Sequence, residues 1–179
     1  GRKSFDGKNG TMFIQNDPTK GDGAFGGNGT ITIGPGPTNA ANDDYNTTDI
    51  VAHEYSHSLI EQTAQLGYDA TRESAALNES FSDIFGQLVE RWETQNANPD
   101  WIIGDDKGCG GSLVCRDLKN PKSTGGPDTY QGINWQTMNI DPHVNGAVQN
   151  RWFYLITDGG TGTNPELTGN QDYNITGIG

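Results

Sequence analysis

The chain has 179 residues, enough for one or two small domains with a real core; only 31% are hydrophobic, 26 are glycine, and the net charge is −12. An acidic chain without basic patches is a poor nucleic-acid binder, and no apolar run approaches the ~20 residues of a membrane span. Neither an initiator methionine nor a secretory leader opens it, so the expectation is a mature product or a fragment.

Residues 1 to 46 hold strand-length pieces, Thr11 to Gln15 and Thr30 to Ile33, among turn signals such as Gly26-Gly27-Asn28-Gly29 and Gly34-Pro35-Gly36-Pro37. They predict a small antiparallel β segment with wide loops. The Gly-rich loop has no phosphate-loop lysine and otherwise reads as a flexible connection.

A helix follows. Thr47, Thr48 and Asp49 offer N-cap oxygens, Ile50, Val51 and Ala52 open it, and Leu59 and Ile60 continue it. It carries His53-Glu54-Tyr55-Ser56-His57, an H-E-x-x-H run. Histidines four apart share one helix face and can grip one ion, while Glu54 lies to the side, free to hold a water. Exposed polar surface is the plainer reading of such a pair, yet the chain has only three histidines and two stand here.

A hydrolytic zinc site needs a third ligand. The residues after His57 run Ser58-Leu59-Ile60-Glu61-Gln62-Thr63, which excludes the G-x-x-H continuation on the same helix. A second helix supplies the alternative, with Leu77, Phe81, Ile84, Phe85 and Leu88 at helical spacing. Glu79 and Asp83 share a face of it, so one can bind metal while the other orients a ligand histidine.

His53 to His57 followed by Asn78-Glu79-Ser80-Phe81-Ser82-Asp83 resembles the thermolysin-like family of zinc endopeptidases. Ser4-Phe5-Asp6-Gly7, Asn98-Pro99-Asp100-Trp101, His143-Val144-Asn145-Gly146, Asn150-Arg151-Trp152-Phe153-Tyr154-Leu155 and Gly177-Ile178-Gly179 echo family segments in the same order. The resemblance therefore covers essentially the whole chain. It implies an α+β zincin fold: part of an N-terminal β lobe with the zinc-binding helix over residues 1–66, then part of a helical lobe over 67–179. Both ends of the family domain are expected to be absent.

The resemblance also implies roles. His53, His57 and Glu79 hold catalytic Zn²⁺, with Asn78 and Asp83 steadying the histidines. Glu54 is the general base, and Tyr68 and His143 stabilise the oxyanion. Ala24 lies on an edge that pairs with extended substrate, and Arg116 binds the carbonyl beyond the scissile bond. Family members carry Asn where this chain has Gly23, which removes one substrate contact. Asp141 is a candidate partner for His143, though closer in sequence than the family pattern suggests. A packed surface aromatic, a surface salt bridge and an exposed loop histidine are the plainer readings of Tyr68, Arg116 and His143.

A structural Ca²⁺ site is implied at Asp49, Glu90, Asp100 and Asp105 with a carbonyl near Ile102; hard oxygens on irregular loops suit that ion, although ion-free acidic loops abound in so negative a chain. In an extracellular enzyme Cys109 and Cys115 would close a short disulfide loop, two free buried thiols being the alternative. Gly67 fits the C-cap of the first helix and Asn98-Pro99 the end of the second. Trp135 anchors a loop-like stretch, and a third helix is expected from about Ala147 to Thr157, stopped by Asp158-Gly159-Gly160. The expected function is a secreted zinc endopeptidase cutting before bulky apolar residues, with peptides or proteins as partners. The competing function is a non-catalytic, metal-stabilised module.

Overall fold

The computed structural model describes residues 3–20, 23–34, 47–69, 73–95, 100–104 and 115–179. Cys109, Asp105 and the Asn98-Pro99 pair, on which three expectations rest, lie outside them.

Three short strands come first: β1 (Phe13–Asn16), β2 (Ala24–Gly27) and β3 (Thr30–Ile33). Asn28 and Gly29 join β2 to β3 with φ of 49° and 75°, the positive pair a two-residue hairpin turn requires. The antiparallel expectation holds for β2 and β3 but not for the whole sheet. Its order is β1-β3-β2, with β1 parallel to β3. The chain reverses between β1 and β2, but β3 folds back into the gap between them, so β1 meets a strand running its own way. Turn residues mark where strands end; they do not say which strand takes the middle.

Helix α1 (Thr48–Gln62) packs on this sheet, with Ile50 joining Ile31 and Ile33 in a buried cluster. Thr47 is the N-cap residue, yet Asp49 serves the first turn: its Oδ1 accepts from the Ile50 N–H and the Thr47 hydroxyl. β2 lies hard against α1. A Cβ on Gly26 would stand 2.0 Å from the Glu54 carbonyl oxygen. Gly26→Ala should therefore force β2 away from the helix and lower stability by about 1–3 kcal/mol, the usual range for overpacking. A melting temperature within 1 °C of wild type, on the order of a negligible change, would contradict that close approach.

Helix α2 (Glu73–Thr94) crosses α1 and is polar on the wrong side for an ordinary surface helix. Asn78, Glu79, Ser80, Ser82, Asp83 and Gln87 are buried, while Phe81, Phe85, Leu88 and Trp92 are exposed. The helix ends at Thr94, with Gln95 at φ 53°, ahead of Asn98.

β4 (Ile102–Ile103) and β5 (Arg116–Asp117) form a small antiparallel pair, followed by a 3-10 turn at Pro121–Thr124. Helix α3 (Pro142–Asp158) begins earlier than its apolar pattern suggests. Asp141 caps it by accepting from the His143 N–H at 3.0 Å, and Pro142 takes the position where a missing N–H does no harm. His143 thus sits in a helical first turn rather than ahead of a helix. Past the expected stop come β6 (Gly159–Asn164) and β7 (Gln171–Thr176), a hairpin with no counterpart in the sequence reading. Its strands are Gly-, Thr- and Asn-rich with few apolar side chains, so they carry no apolar alternation to read. No helix among the described residues is long and apolar enough to cross a membrane.

Candidate metal centre and cleft

Helices α1 and α2 converge on one point. The Nε2 atoms of His53 and His57 stand 3.1 Å apart. Glu79 Oε2 lies 3.2 Å from His53 Nε2, and Glu79 Oε1 lies 3.7 Å from His57 Nε2. A tetrahedral ion with bonds near 2.0–2.1 Å separates its donors by about 3.3 Å, so these spacings suit zinc. Glu79 Oε2 is buried without an aligned hydrogen bond, an orphaned acceptor of the kind a cation satisfies.

The far side of each ring is held. His57 Nδ1 meets Asn78 Oδ1 at 2.7 Å, and Ser82 Oγ stands 3.2 Å from the same nitrogen. Asn78 is itself anchored, donating to the Leu66 carbonyl at 2.9 Å. His53 Nδ1 is 2.8 Å from Asp83 Oδ1, an ion-pair contact not aligned as a hydrogen bond. Restraint at Nδ1 leaves Nε2 pointing inward.

Charge at this point is strongly biased. Burial works against protonation of His53, but Asp83 and Glu79 outweigh it and push its pKa up to about 10. Burial would raise Glu79; His143 and His53 instead hold it well below the usual carboxylate range. Asp83 is likewise lowered against its burial, chiefly by Arg116. The pocket favours positive charge between its acids.

Two overlapping trios of possible metal donors occur among the described residues, His53–Glu79–His143 and His53–Glu54–His57. The set expected from the sequence draws on both. Glu54 Oε2 stands 3.9 Å from His57 Nε2, farther off than Glu79, and His143 Nε2 lies 3.0 Å from Glu79 Oε2. Burial opposes protonation of His143, but Asp141 at 2.8 Å from Nδ1 and Glu79 raise its pKa to about 9. Tyr68 is 54% exposed as a residue, yet its hydroxyl donates to Glu79 Oε1 at 2.5 Å. Burial of that hydroxyl, then the Glu79 charge, pushes its pKa up.

These groups line a cleft of about 610 Å³ whose other wall is Ala24, Phe25 and Gly26 of the edge strand β2. Arg116 is turned to Asp83, with Nε and a terminal nitrogen at 2.8 and 2.5 Å from its two oxygens. Two neighbours escaped the sequence reading. Ser82 sits beside His57, and Asn150 of α3 donates to Asp83 Oδ2 at 2.8 Å. Both are small polar residues whose burial only the fold reveals, so the sequence carried no signal for these contacts.

The residues expected for calcium are drawn together in part. Asp49 is fully buried, and its Oδ2 accepts from the Gly104 N–H at 2.6 Å. Gln87 reaches both Glu90 Oε2, at 3.2 Å, and the Ile102 carbonyl, at 2.8 Å. Asp100 Oδ1 accepts from the Ile102 N–H at 2.9 Å.

The model of the thermolysin metallopeptidase alpha-helical domain matches residues 64–179. The chain belongs to the thermolysin metallopeptidase family. A zinc metalloproteinase of Renibacterium salmoninarum is 35% identical over 161 residues, covering 82% of this chain and 26% of that protein. A bacillolysin of Bacillus caldolyticus is 34% identical over 174 residues, covering 94% and 31%. In structure, the precursor of protealysin, a metalloproteinase from Serratia proteamaculans, superposes with a TM-score of 0.69 at 26% identity, covering 87% of this chain and 52% of that one. The chain thus spans about a quarter to a third of the length of these two curated relatives.

Proposed function

We propose that this chain is the metal-bearing part of a secreted zinc endopeptidase, acting on peptides before bulky apolar residues. The observation that carries the reading is the convergence of His53, His57 and Glu79 beside Glu54 in an open cleft. The relative named a zinc metalloproteinase supports the choice of ion, as does a donor set of two imidazoles and a carboxylate.

His53, His57 and Glu79 would hold the zinc, which supplies Lewis acidity that acidifies water to a pKa near 7 and polarises a carbonyl. Glu54 takes a proton from the attacking water and returns it to the departing amine. His143 and Tyr68 donate to the oxygen that gains charge, and Asp141 orients the His143 ring through Nδ1. The exposed edge of β2 at Ala24 pairs with extended substrate, which the peptide groups of both strands favour. Arg116 serves the carbonyl beyond the cut from its place on Asp83. A calcium ion at Asp49, Glu90, Asp100, Asp105 and the Ile102 carbonyl would tie α1 and α2 to the following loop. A Cys109–Cys115 bridge would brace that loop, as suits an extracellular enzyme. Residues 1–66 and 67–179 then form the two sides of the cleft.

The test is hydrolysis of a quenched peptide with an apolar residue after the expected cut, before and after 1,10-phenanthroline. Activity should fall to background and return with one equivalent of zinc. Hydrolysis indifferent to the chelator would remove the zinc mechanism. Zinc binding with no hydrolysis under any condition would leave the metal-stabilised module.

A further inference from the structure

We infer that Asn150 is a positioning residue for His53, acting through Asp83. The inference rests on the reading of His53 as a metal ligand. Asp83 is 1% exposed and meets groups from three other elements. Its Oδ1 faces His53 Nδ1 of α1 and an Arg116 nitrogen of β5; its Oδ2 accepts from Arg116 Nε and from Asn150 Nδ2 of α3.

The two partners of Asp83 differ in what they fix. Arg116 is a long side chain, 16% exposed, whose fork aligns the carboxylate within its own plane. Asn150 is short, 1% exposed and bonded at both ends. Its Oδ1 accepts from Ser80 Oγ at 2.7 Å, and Ser80 is itself fully buried. The amide orientation follows from chemistry, since only the NH₂ group can face a carboxylate and only the oxygen can accept from a hydroxyl directed at it. Ser80 and Asp83 lie three apart on α2, so one helix face offers a donor and an acceptor spaced for a single amide. Asn150 therefore sets the rotation of Asp83 about its own side chain, and Asp83 sets the ring of His53. Outer partners of this kind are worth roughly 10–100-fold in metal affinity.

The experiment measures zinc affinity by competition with a chromophoric chelator for wild type, Asn150→Leu, Asn150→Asp and Ser80→Ala. Ala147→Gly, a buried change elsewhere on α3, serves as the packing control. Asn150→Leu should weaken zinc by about 10–100-fold. Asn150→Asp keeps the shape but sets a carboxylate against Asp83, and should weaken it at least as much; a purely structural role predicts the opposite order. Ser80→Ala, the mildest change, should weaken zinc measurably while the protein stays folded. Ala147→Gly, at whatever loss of melting temperature it brings, should leave zinc affinity within about twofold, since a methyl hydrogen-bonds to none of Ser80, Asn150, Asp83 and Arg116. Equal affinities for wild type, Asn150→Asp and Ser80→Ala overturn the inference, as does an equal loss in Ala147→Gly. If wild type binds no zinc, the metal reading fails separately. The His53 ring ¹⁵N shifts of the metal-free chain then decide: they should move in Asn150→Leu and Ser80→Ala, and unmoved shifts overturn the positioning role.

Discussion

Glu54→Gln is expected to keep its zinc and lose peptide hydrolysis by about 10²–10⁴-fold, the range that positioned proton transfer supplies. The geometry explains both halves. Glu54 Oε2 stands 3.9 Å from His57 Nε2, while Glu79 faces both rings, at 3.7 Å from His57 Nε2 and 3.2 Å from His53 Nε2, so Glu79 is the better placed carboxylate for an ion between them. An amide of the same shape leaves His53, His57 and Glu79 untouched but has no lone pair basic enough to take the proton of a water. The loss should fall on kcat rather than KM, because the proton moves only as the reaction proceeds. A variant that hydrolyses the quenched peptide at the wild-type rate would deny Glu54 its place in the chemistry. One that has also lost its zinc would instead make Glu54 a ligand, as the His53–Glu54–His57 trio allows.

How much of this was legible beforehand depends on the length scale of each signal. H-E-x-x-H is local: a helix puts His53 and His57 on one face wherever it packs, so the pair could be read directly. Glu79 needed a second helix to cross the first, and its apolar spacing marked that helix. The apolar residues do not mark the buried side of that helix, because Phe81, Phe85 and Leu88 face outward while Asn78, Glu79 and Asp83 face inward. A periodic stripe shows that a face exists; it does not say which face the rest of the chain covers. Asp141-Pro142 held a helix start that apolar periodicity, beginning near Ala147, could not reveal. The wholly antiparallel expectation failed for a similar reason, since β1 meets β3 only because β3 returns to the middle of the sheet. Asn150 was invisible because an amide in a helix has no pattern; only the buried partners on either side of it give it meaning.

Glu79→Gln should damage the metal centre more than any change behind it. Glu79 is the meeting point of the site: Tyr68 donates to Oε1, and His53 and His143 both approach Oε2. An amide there keeps the volume but gives up the charge, and in one orientation turns its NH₂ group toward the ion. Loss of a ligand must therefore exceed the roughly 10–100-fold that loss of an outer partner brings. The same substitution removes one of the two carboxylates that raise His53, so its pKa should fall in the metal-free chain. The readout is the rise in melting temperature on adding zinc. A ligand at 100 times its Kd stabilises the folded chain by about 2.7 kcal/mol, and that gain shrinks to almost nothing once Kd exceeds the zinc concentration. Wild type should show the shift at micromolar zinc and Glu79→Gln should not. A full shift in the variant would move the third ligand elsewhere, to Glu54 or His143, and with it the geometry of the whole cleft.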